Sequence, residues 1–354
     1  MADPHHESVS CVLFESSDRS TILIDIPRSI EEAQVSPGQA IKRRIISSTP
    51  IKTPWETPDP KNKDPAQLAT PSAAVAELMT LESVKIALEE IKHNYEGPWC
   101  LPRVLKDTST SNTDKLSLEM TRKRKQRSPD SEMSNVAQDP FIPDRSHYLL
   151  GTIESQRRNF LTDAPMFDLM VLDPPWPSRS VKRKRDGYTV VYGMQEARSL
   201  LSQIPVSSHL KPDGLVAVWV TNRATVTELL TSPGGIFSEW GLEPVGEWIW
   251  LKITSSGEPV INIESQWRRP WERLLLGRRK GGTVTTPIPT KVIMGVPDIH
   301  SRKPNLRSLF QDILPEDYSG LEVFARNLIT GWWSWGNEVL YFQQGNHWVD
   351  IEVK

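Results

Sequence analysis

No Gly-x-Gly triplet occurs anywhere in these 354 residues, so the usual glycine-rich turns that cradle a dinucleotide or a nucleoside triphosphate are excluded. Only two cysteines are present, Cys11 and Cys100, far apart and without the Cys or His spacing of a zinc site. This argues against a disulfide framework and a structural metal, and for a reducing compartment. No run approaches the roughly 18 apolar residues of a membrane span. The opening Met1-Ala2-Asp3-Pro4-His5-His6-Glu7 lacks the basic start and apolar stretch of a secretory signal. The expectation is a soluble, intracellular protein with no membrane partner. An excess of one charge is also missing: 42 Lys and Arg face 44 Asp and Glu, for a net charge of −2. Any case for nucleic acid must therefore rest on local patches.

Tryptophan, by contrast, is concentrated, with 11 of 13 at or beyond residue 146, so the bulky core is expected there. The most informative stretch is Asp173-Pro174-Pro175-Trp176, directly after the apolar run 166–172. Each proline lacks an N–H and fixes φ, and the residue before each is pushed away from α geometry, so a stiff extended loop is expected. An aromatic amine such as adenine N6 is a poor nucleophile. A carboxylate (Asp173) and a backbone carbonyl (Pro174) accepting its two N–H groups would orient it and favour the positive charge that develops on alkylation. Trp176 would offer a stacking face worth roughly 1–3 kcal/mol per base. The alternative is a Pro-rich strand end with a surface tryptophan.

Four segments follow from composition: a Pro-rich extension over 1–70, an amphipathic helix segment over 71–105, a basic low-complexity linker over 106–145, and an α/β domain over 146–354. Residues 27–72 and 106–140 read as linker or disorder. Between them, Thr70 and Pro71 suit a helix start. Ala74, Leu78, Leu81, Val84, Leu88, Ile91 and Tyr95 recur on one face, with Glu82, Lys85, Glu89 and Lys92 opposite, as for a helix that docks on its own domain or on a partner. Beyond 146, strands are expected at 167–172, 214–221, 245–253, 273–277, 291–296 and 321–325, and helices at 195–203, 223–231 and 304–314. In such a sheet ligands bind beyond the carboxyl ends of strands, where Asp173 would sit.

Other polar constellations are Arg326, Asn327, Asn337 and Glu338, suited to a ligand with ribose hydroxyls, a carboxylate and an ammonium, and Lys303 near a helix start, suited to an anionic group. Each has a plainer alternative, local backbone satisfaction for the first and a solvated lysine for the second. Two basic patches, Arg179 with Lys182, Arg183, Lys184 and Arg185, and Arg268, Arg269, Arg273, Arg278, Arg279 and Lys280 around Trp267 and Trp271, suit a nucleic-acid backbone and a splayed base. The run from Arg122 to Arg127 reads as a nuclear import signal or a loose RNA-contacting arm.

Taken in order, Asp173 to Trp176, Ser178 to Arg183, Trp219 to Arg223, Glu247 to Thr254, Arg269-Pro270-Trp271-Glu272, Leu321 to Asn327 and Gly331 to Glu338 resemble the methyltransferase-like protein 4 branch of the N6-adenine methyltransferases, over roughly residues 146–345. The resemblance implies a permuted Rossmann-like fold in which the catalytic tetrapeptide precedes the cofactor strand; composition adds the expectation of a helical, partly disordered N-terminal extension. The resemblance implies S-adenosylmethionine as methyl donor, and the cysteine and histidine spacing leads to no metal being expected. Asp173, Pro174, Pro175 and Trp176 would be catalytic. Ile153, Asp173, Lys303, Phe324, Arg326, Asn327, Asn337 and Glu338 would surround the cofactor. Lys182, Arg183, Lys184, Arg185, Arg269, Trp271 and Glu272 would meet the substrate. RNA is favoured, with an internal 2′-O-methylated adenosine of a small nuclear RNA as the specific expectation; DNA and an inactive RNA-binding scaffold are the alternatives. A nuclear protein is expected, monomeric or with a partner subunit. The chain departs from the family where an acidic residue commonly precedes an isoleucine, having Gly151-Thr152-Ile153, and has Trp271 where a tyrosine is expected.

Overall fold

The apolar run before Asp173 forms the strand Phe167–Leu172, whose residues alternate between two buried faces, so both sides of the sheet around it must be covered. The computed structural model describes residues 10–56, 71–106, 139–177, 193–265, 268–283 and 288–351. In chain order the strands are β1 (Val12–Glu15), β2 (Thr21–Ile24), β3 (Arg43–Ser47), β4 (Val104–Leu105), β5 (His147–Leu150), β6 (Phe167–Leu172), β7 (Leu210–Val220), β8 (Leu242–Lys252), β9 (Trp271–Arg279), β10 (Lys291–Gly295), β11 (Gly320–Val323), β12 (Trp333–Gly336) and β13 (Trp348–Asp350). Ten of them make one mixed sheet in the order β1-β2-β10-β8-β9-β7-β6-β11-β12-β5, in which β9 and β1 run against the rest. The eight parallel strands bring their carboxyl ends to one edge.

One face of the sheet carries Ile22, Leu169, Val171, Trp219, Trp248, Trp250 and Ile293. It is covered by α1 (Ile26–Ala33) and by the segment that buries Leu306, Leu309 and Phe310. The other face carries Met170, Leu172, Val218 and Val323, under α3 (Ile153–Asp163), α4 (Met194–Ser202), α6 (Ala224–Thr231) and α7 (Ile236–Glu239). The short α5 (Val206–His209) leads into β7. The long α2 (Pro71–Asn94) extends this helical layer, packing Val84, Ala87, Leu88 and Ile91 on Leu23, Ile249, Leu251, Val292 and Met294. The amphipathic stripe therefore docks on its own sheet. It does so from Thr80 onward, while Leu78, at 65% exposure, stays outside.

Three expectations are corrected. Residues 27–56 are not linker: Pro27 stands in the first turn of α1, where a missing N–H costs nothing, Asp25 caps that helix through the Arg28 N–H at 2.9 Å, and β3 pairs with β4 and β13. No boundary falls at 146, because β1 and β2 continue the sheet beyond β10 and share its core. The helix expected at 304–314 is a single 3-10 turn, Arg307–Phe310, started by Asn305, whose side chain accepts the Arg307 N–H at 3.0 Å. The segment is bent to drop Leu306, Leu309 and Phe310 onto the sheet beside α1, which a straight helix need not allow. Most of the 106–140 linker, the 122–127 run and Lys182, Arg183, Lys184 and Arg185 lie outside the described residues. Among the described residues no helix is long and apolar enough to cross a membrane.

Candidate active site

The pleat explains the site. On the face of β6, β7, β8, β9 and β11 that buries Val171, Trp219 and Trp250, the next positions at the edge with the strands' carboxyl ends are polar: Asp173 after β6, Lys252 at the end of β8, Glu272 entering the antiparallel β9, and Glu322 on β11 opposite Val171. The loop after β10 adds Lys303. Its ammonium lies 3.0 Å from each Asp173 carboxylate oxygen and 3.1 Å from Glu272, and Glu272 is in turn 2.5 Å from Lys252. Carboxylate and ammonium thus alternate along Asp173, Lys303, Glu272 and Lys252. The two ammonium groups lie over the rings of Trp219 (5.4 Å) and Trp250 (4.7 Å), which contact each other edge to face.

Burial opposes charge on Lys303 but is outweighed by Asp173 and Glu272, so its pKa stands above the ordinary lysine value. Burial likewise opposes ionisation of Glu272, yet Lys303 and Lys252 hold its pKa down to about 2. Among the described residues Glu322 has no such partner at contact distance: burial, reinforced by the neighbouring Asp173 charge, pushes its pKa up to about 8. Glu322 was not singled out from sequence. The signal was there, a carboxylate flanked by Leu321 and Val323 in a central strand.

The tetrapeptide is braced as well as stiff. Its Trp176 indole N–H donates to the Trp219 carbonyl at 2.7 Å, Arg223 donates to the Pro177 carbonyl at 2.6 Å, and the Asp173 N–H reaches the Val323 carbonyl at 3.3 Å. The Pro174 carbonyl already accepts the Trp176 backbone N–H at 2.8 Å, leaving one lone pair for a ligand.

A cleft of about 580 Å³ opens at Asp173, Trp219, Lys303, Asn305, Glu322 and Asn327. A second lobe of about 590 Å³ is walled by Thr152, Ile153, Pro175, Leu200, Asn337 and Glu338, and the two lobes meet at Phe324 and Arg326. Phe324 adopts φ 62°, a left-handed conformation uncommon outside glycine, which presents this turn at the junction of both lobes. Arg326 pairs with Glu338 at 2.8 Å. Thr152 caps α3, accepting the Ser155 N–H at 3.0 Å, a role that a hydroxyl fills as well as the acidic side chain expected there from the family resemblance would.

All eight residues expected around the cofactor therefore line this cleft, with one change of role: the three donors of Lys303 are occupied by Asp173 and Glu272 rather than left for an anion. The substrate expectations divide. Glu272 is in the site. Trp271, adjacent in β9, points to the opposite face by strand alternation and is 1% exposed under α2. It cannot stack on a base. Arg269 lies over that ring and pairs with Glu77 of α2, while Arg273 and Arg278 are buried, Arg273 against Glu247. The second basic patch is thus divided: Arg273 and Arg278 are internal, whereas Arg268 and Lys280 remain exposed.

Comparison with known proteins agrees with this geometry. Residues 167–338 match the MT-A70 family, and the N6-methyladenosine RNA methyltransferase MTA1 of Cryphonectria parasitica is 46% identical, over 96% of this chain and 94% of the relative. The chain belongs to the MT-A70 family. A second MTA1 of the same description, from Pyricularia oryzae, is 46% identical over 98% of both chains. The human N(6)-adenine-specific methyltransferase METTL4 is 34% identical over 82% of this chain and 61% of its own length, consistent with the METTL4-like branch. As an MT-A70 enzyme the chain is a methyltransferase, and its large mixed sheet with helices on both faces is compatible with a Rossmann-like fold.

Proposed function

We propose that this MT-A70 enzyme methylates N6 of adenine in RNA, using S-adenosylmethionine. The observation that carries the reading is the Asp173 carboxylate, held by Lys303 at the mouth of a two-lobed cleft beside a braced Pro-Pro turn. RNA is preferred over DNA because the two relatives that match nearly end to end are described as RNA methyltransferases. An internal 2′-O-methylated adenosine of a small nuclear RNA is the first specific substrate to test.

The cleft fits the cofactor. Apolar walls from Ile153, Pro175, Leu200 and Phe324 suit an adenine ring, Asn337 and Glu338 suit ribose hydroxyls, and the Asp173 carboxylate suits a cationic centre. When bound, S-adenosylmethionine supplies an electrophilic methyl group. The chain's residues do the positioning. Asp173 and the free lone pair of the Pro174 carbonyl accept the two N6 hydrogens, Trp176 offers a face to the base, and Lys303 fixes the Asp173 carboxylate in place. The proton made acidic by methylation passes to Asp173 or to water.

We also read the sheet as a permuted methyltransferase fold, supported by β6 preceding in sequence its partner β11. Nuclear residence is part of the same reading and rests on the Arg122–Arg127 run. The test is transfer of labelled methyl to single-stranded and duplex RNA and DNA by wild-type protein and Asp173→Ala. Wild-type transfer to RNA that the variant lacks supports the reading; transfer to DNA alone replaces RNA by DNA, and failure to bind S-adenosylmethionine at millimolar concentration leaves the scaffold.

A further inference from the structure

The burial of Trp271 removes one of the aromatics expected to meet the substrate, and the N-terminal extension supplies another. After β3 the chain crosses the edge that carries the strands' carboxyl ends and is tied there repeatedly. The Ser48 N–H donates to the buried Asp298 of the Lys303 loop at 2.7 Å, the Ser255 N–H donates to the Ile51 carbonyl at 2.7 Å, and the Trp55 N–H donates to the Val260 carbonyl at 2.8 Å. This strap thus joins the loop that delivers Lys303 to the loop that follows Lys252. Trp55 sits at its end with 51% of its surface exposed, whereas Trp99, Trp176, Trp219, Trp250 and Trp271 are partly or wholly buried. Lys52, three residues earlier, is exposed as well.

We propose that Trp55 stacks on a base of the RNA strand flanking the target adenosine, with Lys52 meeting the adjoining phosphate; this rests on the RNA reading above. Trp55 is anchored beside the end of β8, and β8 lies three strands from β6 in the sheet order. At about 4.8 Å per strand the loops they bear are about 14 Å apart, a span of a few nucleotides of single strand. A backbone-anchored indole gives up little freedom on stacking, and a base on an aromatic is a sequence-tolerant contact. Trp55 is a positioning residue for the substrate; the reacting groups stay at Asp173.

The test uses the full chain, an adenosine-containing RNA oligonucleotide of about ten nucleotides, and the variants Trp55→Ala and Trp55→Phe. Trp55→Ala raises the KM and Kd for RNA about tenfold, leaves kcat within about twofold and does not change the KM for S-adenosylmethionine; Trp55→Phe restores most of the affinity. An RNA affinity unchanged in Trp55→Ala, with wild-type methylation intact, overturns the assignment and leaves Trp55 as a protein contact. A parallel fall in kcat and thermal midpoint overturns it in favour of a structural role. Absence of RNA binding and methylation by the wild type instead removes the RNA reading itself.

Discussion

Lys303 binds both oxygens of Asp173 at 3.0 Å although 130 residues separate them in sequence. The lysine comes from the loop after β10, the carboxylate from the end of β6, and three strands, β8, β9 and β7, lie between them in the sheet. The loop is held by a buried cluster in which Asp298 pairs with Arg302 and Arg103, and Ser301 before it adopts φ 68°. The placement of the Asp173 carboxylate therefore depends on the N-terminal extension through Arg103 and Ser48.

Lys303→Met removes the ammonium that bridges Asp173 and Glu272. Single-turnover methyl transfer is expected to slow about 100-fold, with cofactor affinity less affected. A rate within twofold of wild type would show that the pair is merely structural.

The pH dependence of stability follows from two carboxyls with opposite shifts. Glu322 is raised to about 8 from 4.5, so the folded state retains a proton that the unfolded state loses. Its contribution is full below about 4.5 and falls as pH rises to about 8, by at most about 1.4 kcal/mol per pH unit. Glu272 is lowered to about 2, so its contribution is full above 4.5 and is lost as pH falls toward 2. In Glu322→Gln the drop in thermal midpoint between pH 5 and pH 8 should shrink; an unaltered drop would mean that Glu322 is ionised in the fold.

At Thr152 the helix cap and the lining of the second lobe can be separated. Thr152→Val should cost about 1 kcal/mol in denaturant unfolding, whereas Thr152→Asp keeps the cap. Calorimetry on Thr152→Asp should show S-adenosylmethionine binding at least as tight as wild type. Weaker binding would show that the second lobe excludes a carboxylate.

The docking of α2 is tested by contrast along one helix. Ile91→Ala, at a fully buried position, should destabilise by about 2–4 kcal/mol, while Leu78→Ala, at 65% exposure, should change stability by less than about 0.5 kcal/mol. Equal effects would mean that the docked stripe continues over the first turns.

Much of the fold was legible in sequence because its signals are local. The strand at 167–172 follows from an unbroken apolar run that ends at a Pro-Pro stop, and the helix found at Met194–Ser202 lies within one residue of the expected 195–203. The extension was misread because Pro27 looks the same in a helix's first turn as in a linker, and only the Asp25 cap distinguishes them. Trp271 was misread for a different reason. Its neighbours Arg269 and Glu272 suggest a polar surface, but the register of β9 decides which of two adjacent side chains faces the cleft.

By itself the sequence determined the chemistry on offer: a carboxylate on a rigid Pro-Pro turn, acid and base residues at the ends of buried strands, and no glycine-rich phosphate loop. Such features depend on covalent constraint and on neighbours a few residues away. Only the tertiary structure decided which charges meet. Asp173, Lys303, Glu272 and Lys252 come from four elements, and their chain of ion pairs exists because strand order, pleat and burial place them within contact of one another while shutting out most of the water that would otherwise screen them.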